Sequence, residues 1–269
     1  MIIAEFSHNH QGKTRLLKEM VKQSADCGVT IAKIQTHFAA DCNWSYEKDR
    51  VADYELDWDQ HRVFVELCRE HGLIPMTSVY SFKYAERLFE LGFRHIKIGS
   101  AQSHDQELIQ KYSAVFKTCI STGGRLIREV PKVMPQWGVL HCVSKYPHSP
   151  YESNLSRIVE IKKKWPNALT GFSSHVNPLH PDWDKPLKAS LMIAEMIEVH
   201  FSLLEPSETK DGPVSVCVDQ LKELGRFNRL TPQEKLLECP KVGMWAYPQG
   251  QDEKDLIKKY ESRWNLSES

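Results

Sequence analysis

Two histidines stand at the ends of two consecutive apolar, strand-like segments of the sequence. His175 closes the run ALTGFSSH, and His200 lies in MIEVHF. Residues two apart on a strand share a face, so Ser173 points with His175 and Glu198 points with His200. Because neighbouring strands lie ~4.8 Å apart, the two imidazoles can meet one ion with carboxylates nearby. This spacing predicts a divalent metal held by nitrogen and oxygen ligands, without selecting among Mn²⁺, Mg²⁺, Co²⁺ and Zn²⁺.

Basic and hydroxyl side chains end the other strand-like segments. Lys33 and Gln35 share a face of IAKIQT, and Lys97 precedes a Gly-Ser turn in HIKIGS. Lysines that point into a barrel require an anionic ligand or a carboxylate to compensate them, and hydroxyls and glycine-turn amides commonly bind phosphate. The other polar residues at strand ends are Glu5, Ser100 and Ser121. Each alone is as often a surface or core residue, but together they predict a pocket for a small phosphorylated anion.

Cysteine is left out of this predicted site. Cys142 directly follows His141 and is predicted to point to the opposite face, away from the pocket. The seven cysteines are dispersed and have no CxxC spacing, which is typical of free thiols in a reducing compartment.

Eight strand-like segments alternate with amphipathic, helix-like segments along the chain. The strands are predicted at 2–6, 31–36, 74–79, 95–100, 116–121, 138–143, 168–174 and 196–201. Between them, apolar residues recur at intervals of three and four, as in helices that cover a sheet. The helix-like segment after the eighth strand is VSVCVDQLKELGRF, which begins at Val214. Eight such units in 269 residues predict an α/β fold, a single-domain (β/α)8 TIM barrel. A doubly wound open sheet is the alternative, but no GxGxxG turn favours it.

The barrel is predicted to span residues 1–230. Residues 231–269 are predicted to form a short C-terminal extension, with a turn at Pro240, another at WAYP (245–248), and one helix, DEKDLIKKYESRW, packed on the barrel. The long loop at 37–59, rich in aromatic and acidic residues, is either a lid or a surface excursion. Residues 231–269 are too few to be expected to form a second domain.

Charge and hydropathy exclude two classes of partner. Lys+Arg and Asp+Glu both number 35, so no basic excess indicates nucleic-acid binding. No apolar run approaches the ~20 residues that a membrane span requires, and the N-terminus lacks the pattern of a signal peptide. We expect a cytoplasmic protein.

A set of motifs resembles a known family. AEFSHNHQG, AKIQTH, HIKIGS, ISTGG, LHCVSKYP, GFSSH and EVHF, in this order and spacing, resemble the catalytic barrel of the sialic acid synthase (N-acetylneuraminate synthase) family over residues 1 to about 226. The resemblance implies condensation of phosphoenolpyruvate with an N-acetylated sugar aldehyde and release of phosphate. It also implies a divalent metal, Mn²⁺ first with Mg²⁺ or Co²⁺ as alternatives, and allows a homo-oligomer.

The resemblance assigns roles to individual residues. His175 and His200 would bind the metal. Catalytic roles would fall to Glu5, Lys97, Gln102 and Glu198. The residues expected to bind substrates are Lys33, Gln35, Ser78, Ser100, Ser121, Ser144, Tyr146 and Ser173.

Departures from the family pattern cluster on the sugar and water side of the expected site. Gln102 stands where the family carries a glutamate, and Ser144 stands where it carries an asparagine. Ser174 and Val214 replace two acidic residues. The tail is too short for the family's C-terminal antifreeze-like domain. These differences predict an acceptor other than N-acetylmannosamine, with missing contacts supplied by Asp211, Lys145 or the tail.

Two other functions are compatible with the sequence. One is a barrel aldolase or lyase that acts on a related 2-keto acid, which the loss of acidic residues favours. The other is a non-catalytic barrel that acts as a binding partner.

Overall fold

The structure is a computed structural model that describes residues 1–125, 127–130, 137–239 and 251–263. The strands are β1 Ile2–Glu5, β2 Ile31–Gln35, β3 Ile74–Val79, β4 His95–Ile98, β5 Lys117–Ser121, β6 Gly138–Cys142, β7 Leu169–Ser174, β8 Met196–Phe201 and β9 Ser215–Val216. The helices are α1 Thr14–Asp26, α2 Ser45–Ala52, α3 Trp58–Glu70, α4 Ala85–Leu91, α5 Gln106–Ser113, α6 Ser156–Lys164, α7 Lys185–Ile193, α8 Val218–Arg229, α9 Pro232–Glu238 and α10 Gln251–Glu261.

Eight parallel strands close into a barrel. β1 pairs with β2 on one side and with β8 on the other, and the strands between them follow in chain order. This closure confirms the predicted TIM barrel and excludes the open sheet. All eight predicted strands are present, and their ends lie within two residues of the predicted ones.

An apolar layer fills the barrel interior below the carboxyl ends of the strands. It consists of Ile3, Ile31, Met76, Cys119, Leu140 and Met196, all fully buried. Because side chains alternate along a strand, the residue two positions later on each strand points into the same interior. Those residues are Glu5, Lys33, Ser78, Ser121, Cys142 and Glu198. The barrel interior is therefore apolar at one level and polar at the next level towards its mouth.

Helices cover the outside of the barrel through a second, larger apolar cluster. A capping box between Asp57 and Gln60 starts α3. The sequence predicted that the helix after β8 begins at 214, whereas α8 begins at Val218. The reason is that Ser215 and Val216 form β9, which extends the sheet beside β8. The described residues between β5 and β6 hold only the 3-10 turn Ile127–Glu129.

The segment after residue 230 contains α9 and α10, where the sequence predicted one helix. Thr231 and Glu234 form a capping box that starts α9, and α10 packs against the 3-10 turn Ser100–Gln102. The turns predicted at Pro240 and at 245–248 lie outside the described residues. The boundary at residue 230 stays a prediction. None of the described helices is long and apolar enough to cross a membrane.

Candidate active site

A cavity of about 450 Å³ opens at the carboxyl ends of the barrel strands. The structure brings all the site residues predicted from the sequence into its wall: Glu5, Lys33, Gln35, Ser78, Lys97, Ser100, Gln102, Ser121, Ser144, Tyr146, Ser173, His175, Glu198 and His200. The chemistry of each residue is still a prediction, but their convergence is a property of the fold.

Four charged side chains alternate in sign across the cavity floor. The Lys33 ammonium contacts the Glu5 carboxylate, donates to Ser78 Oγ at 2.7 Å and lies 3.7 Å from Glu198 Oε2. Lys97 contacts Glu198 Oε1 and donates to Ser173 Oγ at 3.3 Å. All four charged residues are at most 7% exposed. Carboxylates from the chain itself therefore compensate the two lysines that the sequence places in the barrel.

The pairing shifts the ionisation of these groups. Burial lowers the pKa of Lys33 to about 7, although the Glu198 carboxylate opposes this change. Burial alone would raise the pKa of Glu198, but the charges of Lys33 and Lys97 bring it down to about 2. Burial acts against the charged form of Lys97 too, and Glu198 overcomes it, so the pKa of Lys97 is raised. Lys97 is hence a fixed cation, whereas Lys33 titrates near neutral pH.

Hydroxyls and a glycine amide are packed closely on one side of the cavity. The Gly123 amide donates to Ser100 Oγ at 3.0 Å. A Cβ at Gly123 would stand 2.1 Å from Ser144 Oγ and 2.8 Å from Ser100 Oγ, so a larger residue there would displace these two hydroxyls. Among the described residues, Ser121 Oγ has no hydrogen-bond partner. Such a cluster beside Lys97 is suited to bind a phosphate group.

His175 and His200 face each other at the mouth, with ring centroids 5.3 Å apart. Nδ1 of His175 donates to the Val143 carbonyl at 2.7 Å, which leaves Nε2 as the acceptor nitrogen. Burial lowers the pKa of His200 to about 4 and that of His175 well below its ordinary value, so both rings are neutral at pH 7. Tyr146 stacks on His175 with centroids 3.7 Å apart.

A divalent metal binds neutral imidazoles. His175 is neutral and oriented by the Val143 carbonyl, and His200 is neutral and buried, with no hydrogen-bond partner for Nδ1 among the described residues, so the pair fits the predicted metal. Within the part of the chain that the structure describes, no set of three or more His, Cys, Asp or Glu side chains is arranged to hold an ion. A metal at His175 and His200 would therefore depend on further oxygen ligands from substrate or water.

Part of the cavity wall was not predicted from the sequence. Ser7 and His8 lie in the turn after β1 and line the cavity. Both contact Asp211, His8 through Nδ1 at 3.5 Å from Oδ2. Ser7 holds a left-handed backbone conformation (φ +41°), which its amide stabilises by donating to Glu5 Oε1 at 2.6 Å. Tyr80 donates to Gln35 Oε1 at 2.9 Å. The polar string SHNH directly after the first strand was the available signal.

The C-terminal segment also enters the cavity. Ile257 and Tyr260 of α10 line it, and so does Arg263, which is 8% exposed. Of the contacts that the sequence suggested as replacements, Asp211 and the tail thus reach the cavity. Lys145 instead pairs with Glu152 at 3.0 Å.

The prediction that Cys142 points away from the pocket is wrong. Cys142 lines the cavity, and its Sγ lies 3.7 Å from Nδ1 of His175. Its face is set by Leu140, two residues earlier, and by its register beside Ser173. His141 is the residue that faces the helices, with Nε2 2.8 Å from the Ser153 carbonyl. Burial raises the pKa of Cys142 to about 11, so the group is a thiol and a weak ligand at pH 7.

The residues that depart from the family pattern lie at different depths. Gln102 is 1% exposed and lines the cavity, and its amide atoms have no hydrogen-bond partner among the described residues. Val214 lines the cavity as well. Ser144, which was expected on the sugar and water side, lies instead beside Ser100 and Gly123. Ser174 Oγ instead accepts from the Val176 amide at 3.2 Å. The buried side-chain amide of Gln102 therefore requires a polar group from a ligand or water.

A sequence profile of the NeuB family matches residues 20–234. The chain belongs to the NeuB family. It is 25% identical over 268 residues to human N-acetylneuraminate-9-phosphate synthase, covering 88% of this chain and 73% of that protein. It is 26% identical over 248 residues to pseudaminic acid synthase of Campylobacter jejuni, covering 83% and 71%.

A solved N-acetylneuraminic acid synthetase from Leptospira borgpetersenii shares the fold. It superposes with a TM-score of 0.78 at 22% identity, over 97% of this chain and 91% of that one. Membership of the NeuB family confirms the enzyme class predicted from the sequence, a transferase of the sialic acid synthase type.

Proposed function

We propose that this NeuB-family enzyme condenses phosphoenolpyruvate with a sugar aldehyde, an N-acetylhexosamine or related aldose, to give a 3-deoxy-2-keto sugar acid and phosphate. The observation that carries the proposal is one cavity that combines a lysine-serine cluster with two neutral, facing histidines. The names of the relatives, as synthases of N-acetylneuraminate 9-phosphate and pseudaminic acid, support the same reaction class.

Phosphoenolpyruvate would lie with its phosphate on the serine side. Lys97 offers a cation whose charge is fixed, and Ser100, Ser121 and Ser144 offer hydroxyls close to the Gly123 amide. The carboxylate would lie nearer Lys33, with Ser78 and Gln35 alongside. Charge-assisted hydrogen bonds of this kind are roughly twice as strong as neutral ones. They would also offset charge on the departing phosphate.

A divalent metal, with Mn²⁺ first and Mg²⁺ or Co²⁺ as alternatives, would be held by Nε2 of His175 and by His200. When bound, it would supply Lewis acidity towards the aldehyde oxygen. Tyr146, stacked on His175, would fix the plane of that ring. The carbonyl of Val143 fixes its tautomer.

The reaction balances without a further reactant. C3 of the enol attacks the aldehyde carbon, the new C–C bond forms, and C2 becomes electron-poor. Water adds at C2, and its released proton neutralises the new alkoxide. The C2–O bond to phosphate then breaks as the hydroxyl proton leaves with the phosphate and the ketone forms. Gln102 would orient the water but cannot take its proton, and Glu198 with a pKa of about 2 is a weak base.

The acceptor half of the cavity is chemically distinct. Asp211, His8 and Tyr80 stand on one side of it, and Arg263 enters from the tail. Val214 adds an apolar surface where the family carries an acid. We infer that the acceptor is a sugar other than N-acetylmannosamine, bound by this altered wall.

Phosphate release tests the proposal. Purified protein is incubated with phosphoenolpyruvate, Mn²⁺, Mg²⁺ or Co²⁺, and a panel of aldoses and their phosphates. We expect release that requires both metal and aldose, and that falls at least a hundredfold in Lys97→Met but not in Lys254→Met, whose side chain is exposed on α10. Release without any aldose, or none with the whole panel, would contradict the proposal.

Gln102 favours one second candidate, a lyase that cleaves a 3-deoxy-2-keto acid to pyruvate and an aldose. Aldol cleavage of such an acid adds no water at C2, so it would not need the proton acceptor that the family's glutamate provides and Gln102 does not. Formation of pyruvate from such an acid, without any phosphate, would distinguish this reaction from the proposed one.

A further inference from the structure

The C-terminal helix α10 is attached to two loops at the phosphate side of the cavity through one carboxylate. Oε1 of Glu253 accepts from the Gly124 amide at 2.9 Å and from the Ser144 amide at 2.8 Å. Gly124 follows β5 and Ser144 follows β6, so a single oxygen bridges neighbouring loops. Two backbone donors on one carboxylate oxygen make a charge-assisted contact that fixes both loops.

These loops carry the groups that the cavity offers to a phosphate. Ser144 belongs to one loop, and Gly123, adjacent to Gly124, lies between the hydroxyls of Ser144 and Ser100. Gly124 has φ +67°, a conformation that glycine adopts without strain. A Cβ there would stand 2.2 Å from Cγ1 of Ile257, so α10 is packed directly on the loop. Glu253 itself is outside the cavity wall, behind the backbone that it holds.

We propose that Glu253 is a positioning residue for phosphoenolpyruvate: from the C-terminal helix, it holds the β5 and β6 loops in the geometry that binds the phosphate. The inference rests on the proposed function and extends it to a segment beyond the barrel. Glu253 acts through the amides of Gly124 and Ser144 and does not touch the substrate.

Removing the charge of Glu253 and removing its acceptor oxygen should change phosphate binding in opposite directions, so the two effects can be measured separately. A carboxylate near a phosphate repels it, so removing the charge alone favours binding. Losing the acceptor oxygen leaves two loop amides without their partner and loosens the serine cluster. Glu253→Gln removes the charge but keeps an acceptor oxygen, whereas Glu253→Ala removes both.

The test is a calorimetric titration of phosphoenolpyruvate into the protein, residues 1–269, with Mn²⁺ and without an aldose. We expect Glu253→Ala to bind at least tenfold more weakly than wild type, and Glu253→Gln to bind as tightly or more tightly. Lys254→Ala, an exposed neighbour on α10, should match wild type. Thermal unfolding of each variant checks that the barrel is folded.

Three results would overturn the inference. If Glu253→Ala lowers the melting temperature but leaves the affinity unchanged, the contact serves stability only. If Gln and Ala shift the affinity in the same direction and by the same factor, charge alone acts. If wild type itself binds no phosphoenolpyruvate, the proposed function fails and this inference with it, an outcome separate from the first two.

Discussion

Lys33 and Lys97 are accompanied into the barrel by two carboxylates, Glu5 and Glu198. When Lys33 is protonated, the two carboxylates compensate both lysines without an anion. A phosphoenolpyruvate anion must then draw the lysines towards itself, away from carboxylates that already satisfy them. Removing one partner from such a pair typically costs ~3–5 kcal/mol. We therefore expect charge-removing variants here to lose stability as well as binding.

The pH dependence of phosphoenolpyruvate binding should follow the titration of Lys33. Its pKa is lowered to about 7, so the side chain is a cation below pH 7 and loses its proton above it. Phosphate monoesters are already fully ionised there, since their second pKa is about 6. Affinity for phosphoenolpyruvate should fall roughly tenfold between pH 7 and 8.5, as measured by calorimetry. A flat profile in this range would show that Lys33 does not contribute a titrating charge.

The His200→Ala variant tests whether the histidine pair binds the metal. His200→Ala should lower metal-dependent phosphate release roughly a hundredfold or more, because one of two imidazole ligands is lost. The melting temperature should change by no more than about 4 °C, since groups at strand ends contribute little to packing. His71→Ala, at an exposed helix end, is the control. Full turnover in the His200 variant would contradict the metal assignment.

Among the backbone elements, the loop after β5 places Gly123 against two hydroxyls of the proposed phosphate site. Gly123→Ala would push a Cβ against the Ser144 and Ser100 hydroxyls at 2.1 and 2.8 Å. We expect about tenfold weaker phosphoenolpyruvate binding with a nearly unchanged melting temperature, because hydroxyls can rotate away while their geometry is lost.

Gly99→Ala is the matched control for that substitution. Gly99 stands at the same site, has φ −67°, and its Cβ would meet only Gln102 Oε1 at 3.8 Å. Its binding should equal that of wild type. Equal losses in the two variants would mean that added volume anywhere in the cavity is enough.

The strands and most of the site were predictable because a parallel barrel obeys a period of two. Ile3 belongs to the apolar interior layer, and Glu5, two residues later on the same face of the strand, lines the cavity. Met196 and Glu198 are related in the same way. The same rule applied from Leu140 would have placed Cys142 inside; counting from His141 gave the wrong face.

Other features depend on contacts that no local pattern encodes. β9 forms because Ser215 pairs with His200 of β8. Asp211 reaches the cavity because it lies in the loop before β9. The entry of Arg263 depends on where α10 docks.

The tail and barrel form one site within a single chain. The far end of α10 is anchored on the β2 loop, where the Asn43 amide donates to the Arg263 carbonyl at 2.8 Å, and Glu261 pairs with Arg125. Arg263→Ala should lower kcat/KM for the acceptor at least tenfold, with phosphoenolpyruvate affinity unchanged. Lys254→Ala is the control on the same helix. A loss confined to phosphoenolpyruvate would assign Arg263 to the other substrate.

A homo-oligomer remains a prediction, and it can be combined with this arrangement. If each cavity is built by one chain, co-expressed Arg263→Ala and His200→Ala proteins should show no more activity than either alone. A tail exchanged between subunits would instead rebuild intact sites, with recovery of up to about a quarter of wild-type activity.

The most direct measurement follows the carbon that changes partners. Phosphoenolpyruvate labelled with ¹³C at C2 is incubated with the protein, Mn²⁺ and the accepted aldose, and the products are read by ¹³C NMR. We predict that the label moves to the C2 of a new 2-keto sugar acid as an equal amount of phosphate appears. Label that remains in phosphoenolpyruvate with every aldose, or that appears in pyruvate, would contradict the proposed condensation.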